Sequence, residues 1–170
     1  MAQPGREVIK PGVAEQIVQF VAGADERAGR GATEVDPALL SLVCRELNLR
    51  RLQNGDARIT SALLQGTRRE ILLRFYEQSF TGLGPEMRVF VEDRLLTKSG
   101  FRDNIALENA LAESGVTREA IDHLVNRRLL RLEERLGVSR VELTHDVLTG
   151  IIRASRDTRR EREAREELRR

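Results

Sequence analysis

Tryptophan is missing from this sequence of 170 residues, and five Phe and one Tyr are its only aromatics, so any core must be built mainly from Leu, Val, Ile and Ala. A single cysteine, Cys44, excludes an internal disulfide framework and a cysteine zinc site. It stands among apolar neighbours at helical spacing, which reads as a buried, inert thiol. Two histidines and that one cysteine are too few for a triad or a metal cluster, and HExxH, paired-cysteine and GxSxG patterns do not occur. No apolar run approaches the ~20 residues of a membrane span. The opening MAQPGREVIKPG has no apolar h-region. The expectation is a cytoplasmic protein without a membrane span.

Lysine is scarce too. Lys10 and Lys98 are the only two among 29 basic residues, and every other basic residue is arginine. A phosphate-cradling P-loop needs glycines followed by Lys and Ser or Thr, and Lys98-Ser99 is the only such pair. Thr97 precedes it, and Glu92, which would repel phosphate, stands at the first glycine position. This chain alone is therefore not expected to hydrolyse ATP or to be an enzyme. A formal net charge of +2 demands neither nucleic acid nor membrane as a partner.

Helical periodicity carries the first half. Residues 1–12, with Pro4-Gly5 and Pro11-Gly12, and the glycine-rich 23–35 read as irregular. Between them Val13, Ile17, Phe20 and Val21 share one helical face. Asp36 and Pro37 predict a helix start, as N-cap and first helical residue. Leu39, Leu40, Val43, Cys44, Leu47 and Leu52 continue that helix toward Asn54-Gly55. A short helix near Ala62–Leu64 follows Thr60. Thr67 to Glu70 forms a capping box before the buried face Ile71, Leu72, Phe75, Tyr76 and Phe80. Gly82-Leu83-Gly84-Pro85 breaks the pattern, which places a domain boundary there.

The second half changes its order of elements. Met87, Phe90, Val91 and Leu95 mark a helix; a short strand at Ile105–Leu107 leads to a helix through Leu111. Thr117 caps a third helix bearing Ile121, Leu124 and Val125. Leu130 and Leu132, then Val141 and Leu143, alternate with polar residues around Gly137, as in a hairpin. Helix, strand, helix, helix, strand, turn, strand is the winged-helix order. A last helix opens near Thr144 or Asp146 and buries Val147, Leu148, Ile151 and Ile152. Beyond Ala154 the apolar stripe ends, and SRDTRREREAREELRR reads as a weakly stable, solvated helix with Glu161/Arg165 and Glu166/Arg170 pairs. The expected architecture is mainly α: a helical domain over 1–82, a winged helix with a small β-hairpin over 83–152, and a charged tail over 153–170.

A winged helix suggests DNA, whose affinity comes mainly from neutralised phosphates. Residues 83–150 hold ten basic against twelve acidic side chains. Glu119 and Asp122 lie on the early turns of the third helix, and Glu133, Glu134 and Glu142 accompany the hairpin arginines. Nucleic acid is therefore not the favoured partner, although a DNA-binding regulator and a protein-docking adaptor stand as alternatives. His123 reads as a surface residue. At His145-Asp146 the second hairpin strand hands over to the last helix. Asp146 is placed to cap that helix, with His145 a hydrogen-bonded polar residue beside it.

VELTHDVLTGII resembles the MHD-type motif that ends the winged helix of STAND nucleoside triphosphatases, the class containing NB-ARC and apoptotic-ATPase switches. DPALLSLVCRELNLRRL, REILLRFYEQSF, RVFVEDRLLTKSGFRDNIALENAL and RLLRLEERLGVSRVELTHDVLTGIIRASRDTRRERE are similar to the region that follows the ATPase core in bacterial members, often those with WD-repeat or other sensor domains. The resemblance implies a regulatory module that gates ADP/ATP exchange in a P-loop core upstream, in cis or in trans, with sensor or effector domains as further partners. It assigns His145 to the phosphates of bound ADP and Asp146 to the helix cap, with Thr144 in the methionine position. Pro37 matches the proline of the family's GLPL motif, which packs by the adenine; the Gly and Leu before it do not match. The chain itself holds no cofactor in this reading, and ADP or ATP would come with the core.

Overall fold

The computed structural model describes residues 8–22, 35, 37–64 and 68–169. It is mainly helical, with a small antiparallel sheet. Among the described residues no helix is long and apolar enough to cross a membrane. The chain divides into two compact units, Met1–Leu72 and Leu73–Arg170.

In the first unit α1 (Val13–Ala22) buries Val13, Ile17 and Val21, the expected face, against α2 (Pro37–Asn54). Pro37 is the first residue of α2, where its missing N–H breaks no helical bond. The cap expected of Asp36, the capping box begun by Thr67 and the loop over 23–34 lie outside the described residues. Leu39, Leu42, Val43 and Leu47 fill the buried side of α2, while Leu40 and Cys44 are only half-buried. Leu52 is 58% exposed, against expectation. At ~100° per residue it stands ~140° round the helix from Leu47, off the stripe. Gly55, at φ 73°, ends the helix: its N–H donates to the Leu52 carbonyl, and the Asp56 N–H reaches the Arg51 carbonyl at 2.9 Å. This is the left-handed terminator that glycine adopts without strain. A 3-10 turn at Ser61–Leu64 comes next, held by the Arg50 guanidinium on the Leu63 carbonyl at 3.1 Å.

The division between units falls within α3 (Arg68–Ser79), whereas the sequence places a boundary at the Gly82–Pro85 turn. The turn does separate α3 from α4 (Pro85–Arg94). The last turns of α3 nevertheless belong with α4 in the second unit: Tyr76 bonds Glu92, and the Arg88 guanidinium lies over the Tyr76 and Phe80 rings at 5.2 and 4.9 Å from their centroids.

The second unit then runs β1 (Asn104–Ala106), α5 (Leu107–Leu111), α6 (Arg118–Asn126), β2 (Leu130–Arg135), β3 (Val138–Leu143), a 3-10 turn at Asp146–Leu148, and α7 (Thr149–Glu167). Thr117 caps α6 as expected, its hydroxyl oxygen accepting the Ala120 N–H at 3.2 Å. Strand β3 is central, antiparallel to both neighbours, with Ile105 and Leu132 both opposite Val141. Leu136 and Gly137 join β2 to β3 with φ of 52° and 75°. Two consecutive left-handed residues match the right-handed twist of a tight hairpin. Met87, Phe90, Val91, Ile121, Leu124, Leu130, Val141, Leu143, Leu148 and Ile152 are among the residues buried in this core.

The charged tail departs from the solvated helix expected over 153–170. One helix carries Ile151 and Ile152 into the core and runs on unbroken to Glu167, and within it Arg156 is buried, at 4% exposure. Only from Arg160 onward is every described residue exposed. The Glu161–Arg165 pair is present at 3.9 Å; the one expected of Arg170 lies outside the described residues.

Candidate functional site

His145 and Asp146 sit where β3 gives way to α7. The Thr144 N–H donates to the Leu129 carbonyl at 2.9 Å, which carries the ladder one residue past the strand. His145 comes next in extended backbone (φ −133°, ψ 128°), and its carbonyl accepts the Leu148 N–H to close the 3-10 turn. The residue as a whole is half-buried. The Thr144 hydroxyl is buried with no hydrogen-bond partner among the described residues.

Asp146 does not provide the expected helix cap. It is the first residue of the 3-10 turn, and neither that turn nor α7 has a side-chain cap bond. Its carboxylate, 75% exposed, pairs with the Arg102 guanidinium at 3.2 Å, and Arg102 also donates to the Leu143 carbonyl. The carboxylate thus faces a cation from a distant loop, and not the N–H groups of the turn that it opens. The Thr149 hydroxyl instead donates to the Asp146 carbonyl at 2.7 Å.

Pro37 stands exposed at the start of α2, in the other compact unit from His145 and Asp146. His123 corrects the surface reading: it is half-buried in α6, with Nε2 3.2 Å from the Ser79 carbonyl. A carbonyl only accepts, so Nε2 carries the proton there. Cys44 is half-buried and not fully buried, and its desolvation pushes the thiol up, away from the reactive thiolate. Among the described residues no group of three or more His, Cys, Asp or Glu side chains is gathered to hold a metal.

The most connected polar constellation escaped the sequence reading. Glu92 on α4 is completely buried. Its Oε1 accepts the Tyr76 hydroxyl at 3.1 Å and the Ser155 hydroxyl at 2.6 Å, and its Oε2 accepts Arg159 Nε at 2.7 Å. Arg159 and Arg160 both donate to Asp93 at 2.8 Å. Nearby, buried Arg156 donates to the Thr97 and Lys98 carbonyls. Burial, with the Glu92 charge beside it, pushes the Tyr76 phenol far above the ordinary tyrosine range. These groups tie α3, α4, α7 and the 97–98 loop together, and with each Glu92 oxygen already bonded to a partner within the protein they read as architecture. The clue available in the sequence is an acid pair, Glu92-Asp93, inside an apolar helix, matched by the arginines of the tail.

Three arginines of α6 and the hairpin are engaged with acids of the same helix or the same hairpin. Arg118 pairs with Asp122 on α6 at 3.0 Å, Arg131 with Glu142 at 2.6 Å, and Arg135 with Glu133 at 2.8 Å. No family model, curated protein or solved structure matches the chain.

Proposed function

We propose that this chain is the regulatory helical and winged-helix part of a STAND-type nucleotide switch, which gates ADP/ATP exchange in a P-loop core supplied in cis or in trans. One observation carries the reading. Helix, strand, two helices and a hairpin succeed one another around a β1-β3-β2 sheet, and a half-buried histidine marks the exit from β3. In this reading α4 to β3 form the winged helix, α6 is its third helix, and β2 and β3 are its wing. Thr144 takes the apolar place of the motif, and its buried hydroxyl, without a partner among the described residues, fits a site where methionine needs none.

The residues present suit a phosphate contact at His145. His145 is half-buried, and the cation Arg102 beside Asp146 is positioned by that carboxylate and the Leu143 carbonyl. A nucleotide held by the core would supply the negative charge that such a contact recognises. His145 then biases the closed state by binding one nucleotide state better than the other. The paired arginines of α6 and the hairpin count against duplex DNA as the ligand, since each would have to give up an internal acid first.

The test is His145→Ala in a protein that contains the P-loop core. A single lost contact of ~1–3 kcal/mol should speed ADP release about five- to a hundredfold. An ADP off-rate that does not change overturns the assignment.

A further inference from the structure

A groove of about 520 Å³ opens between α4 and the connection from α5 to α6. Val89, Phe90 and Val116 give it an apolar floor, and Glu86, Asp93 and Glu113 line its rim. That volume lies in the ~300–1,000 Å³ range of clefts that take up a small ligand, ample for one leucine side chain. Arg94, which also lines it, pairs with Glu113, and Asp93 already holds Arg159 and Arg160 from α7. Arginines from a helix thus already dock on one part of this rim. Glu86 is left without a cationic partner among the described residues.

The outer end of α7 has the complementary chemistry. From Glu161 to Arg169 every residue is exposed, and the one large apolar side chain there is Leu168, at 88% exposure. Arg165 in the last turn of α7, and Leu168 and Arg169 just past its end, stand at i, i+3 and i+4, so an apolar knob is flanked by two cations, of which Arg165 also meets Glu161 at 3.9 Å. The same tail cannot turn back into its own groove, because α7 continues as one helix to Glu167.

We propose that this end of α7 from a second copy of the chain seats Leu168 on the Val89–Phe90–Val116 floor, with Arg165 and Arg169 facing Glu86. The contact is heterologous, knob on one copy and groove on the other, so it can propagate beyond a pair. It is also small. Its dissociation constant should lie on the order of a few hundred micromolar, and it should weaken with salt. This contact is independent of the nucleotide reading.

Sedimentation of the full chain from about 20 µM to about 1 mM, which brackets that constant, tests it. The average mass should rise with concentration in the unmodified protein. Leu168→Glu should abolish the rise, and so should Val89→Glu, a change at a partly exposed position, with the helical circular dichroism of each variant unchanged. Glu86→Arg provides a second, milder block of the groove. An equimolar mixture of Leu168→Glu and Val89→Glu should regain association and stop at a heterodimer, because one partner keeps the only intact knob and the other the only intact groove. A mass that stays monomeric up to the highest concentration, an association that survives Leu168→Glu, or a mixture that does not recover would each overturn the proposal.

Discussion

Two glutamates of the second unit are closed off from water, Glu92 at 0% and Glu142 at 3% exposure, and they are satisfied in opposite ways. Glu92 meets its partners inside the protein: the Tyr76 and Ser155 hydroxyls and Arg159, whose side chain is only 12% exposed. Glu142 receives Arg131 and Arg135 from the solvent side, with side chains 44% and 50% exposed. The residue types are the same; the surroundings differ. Where the cation itself is half in water, solvent can replace it. Where the cation is buried, its loss leaves a charge with nothing to pair it, and the several kcal/mol of its desolvation are no longer offset.

The largest effect should therefore come at Glu92. Glu92→Ala removes the acceptor shared by Tyr76, Ser155 and Arg159, and leaves a mostly buried guanidinium short of a partner. Breaking a buried pair by deleting one member typically costs about 3–5 kcal/mol. Urea unfolding followed by circular dichroism reads this directly. A loss below about 1 kcal/mol, the range of exposed pairs, would erase the contrast between the two glutamates.

Tyr76 sharpens the same contrast without a mutation. It is the only tyrosine in a chain without tryptophan, so phenolate absorbance reports on this one group. Burial first, then the adjacent Glu92 charge, raises its folded pKa far above the ~10 of an exposed phenol. A raised folded pKa means that the folded state holds the proton more tightly. Its contribution to stability is complete below pH ~10 and is lost as pH climbs from there toward the raised folded value. Phenolate absorbance should then appear together with loss of helical signal, in one coincident transition. A phenolate titrating near pH ~10 in a still-folded protein would mean that water reaches the Glu92 cluster.

What the sequence made readable divides along the same line. Features set by neighbours along the chain were accessible: the Thr117 cap, the turn at Gly137, Pro37 at the start of α2, and the apolar face of α3. Features set by a partner far along the chain were not. The arginines of α7 read as solvated because hydropathy assigns every charge to water, and only the fold brings Arg159 to Glu92, 67 residues away. Asp146 read as a cap for the same reason, since its partner Arg102 lies far upstream in another loop. His123 misled likewise, with the Ser79 carbonyl hidden from any local pattern. The position of His145 could be read from the strand that precedes it; the group it faces in the proposed switch belongs to another domain.

A matched pair of substitutions isolates the effect of surroundings from that of residue type. Arg159→Gln and Arg131→Gln remove the same charge from the two buried glutamates. At Glu142 the half-exposed position of Arg131 lets water take over its hydrogen bond, so the loss should stay below about 1 kcal/mol and shrink further in molar salt. At Glu92 the Tyr76 and Ser155 hydroxyls are already in use and solvent is excluded, so Arg159→Gln should cost several times more and respond little to salt. Equal losses at the two sites, or a strong salt dependence at Arg159, would mean that the inner face of α7 is wetter than its geometry indicates. The arginine-rich helix would then be the solvated tail that its composition suggests.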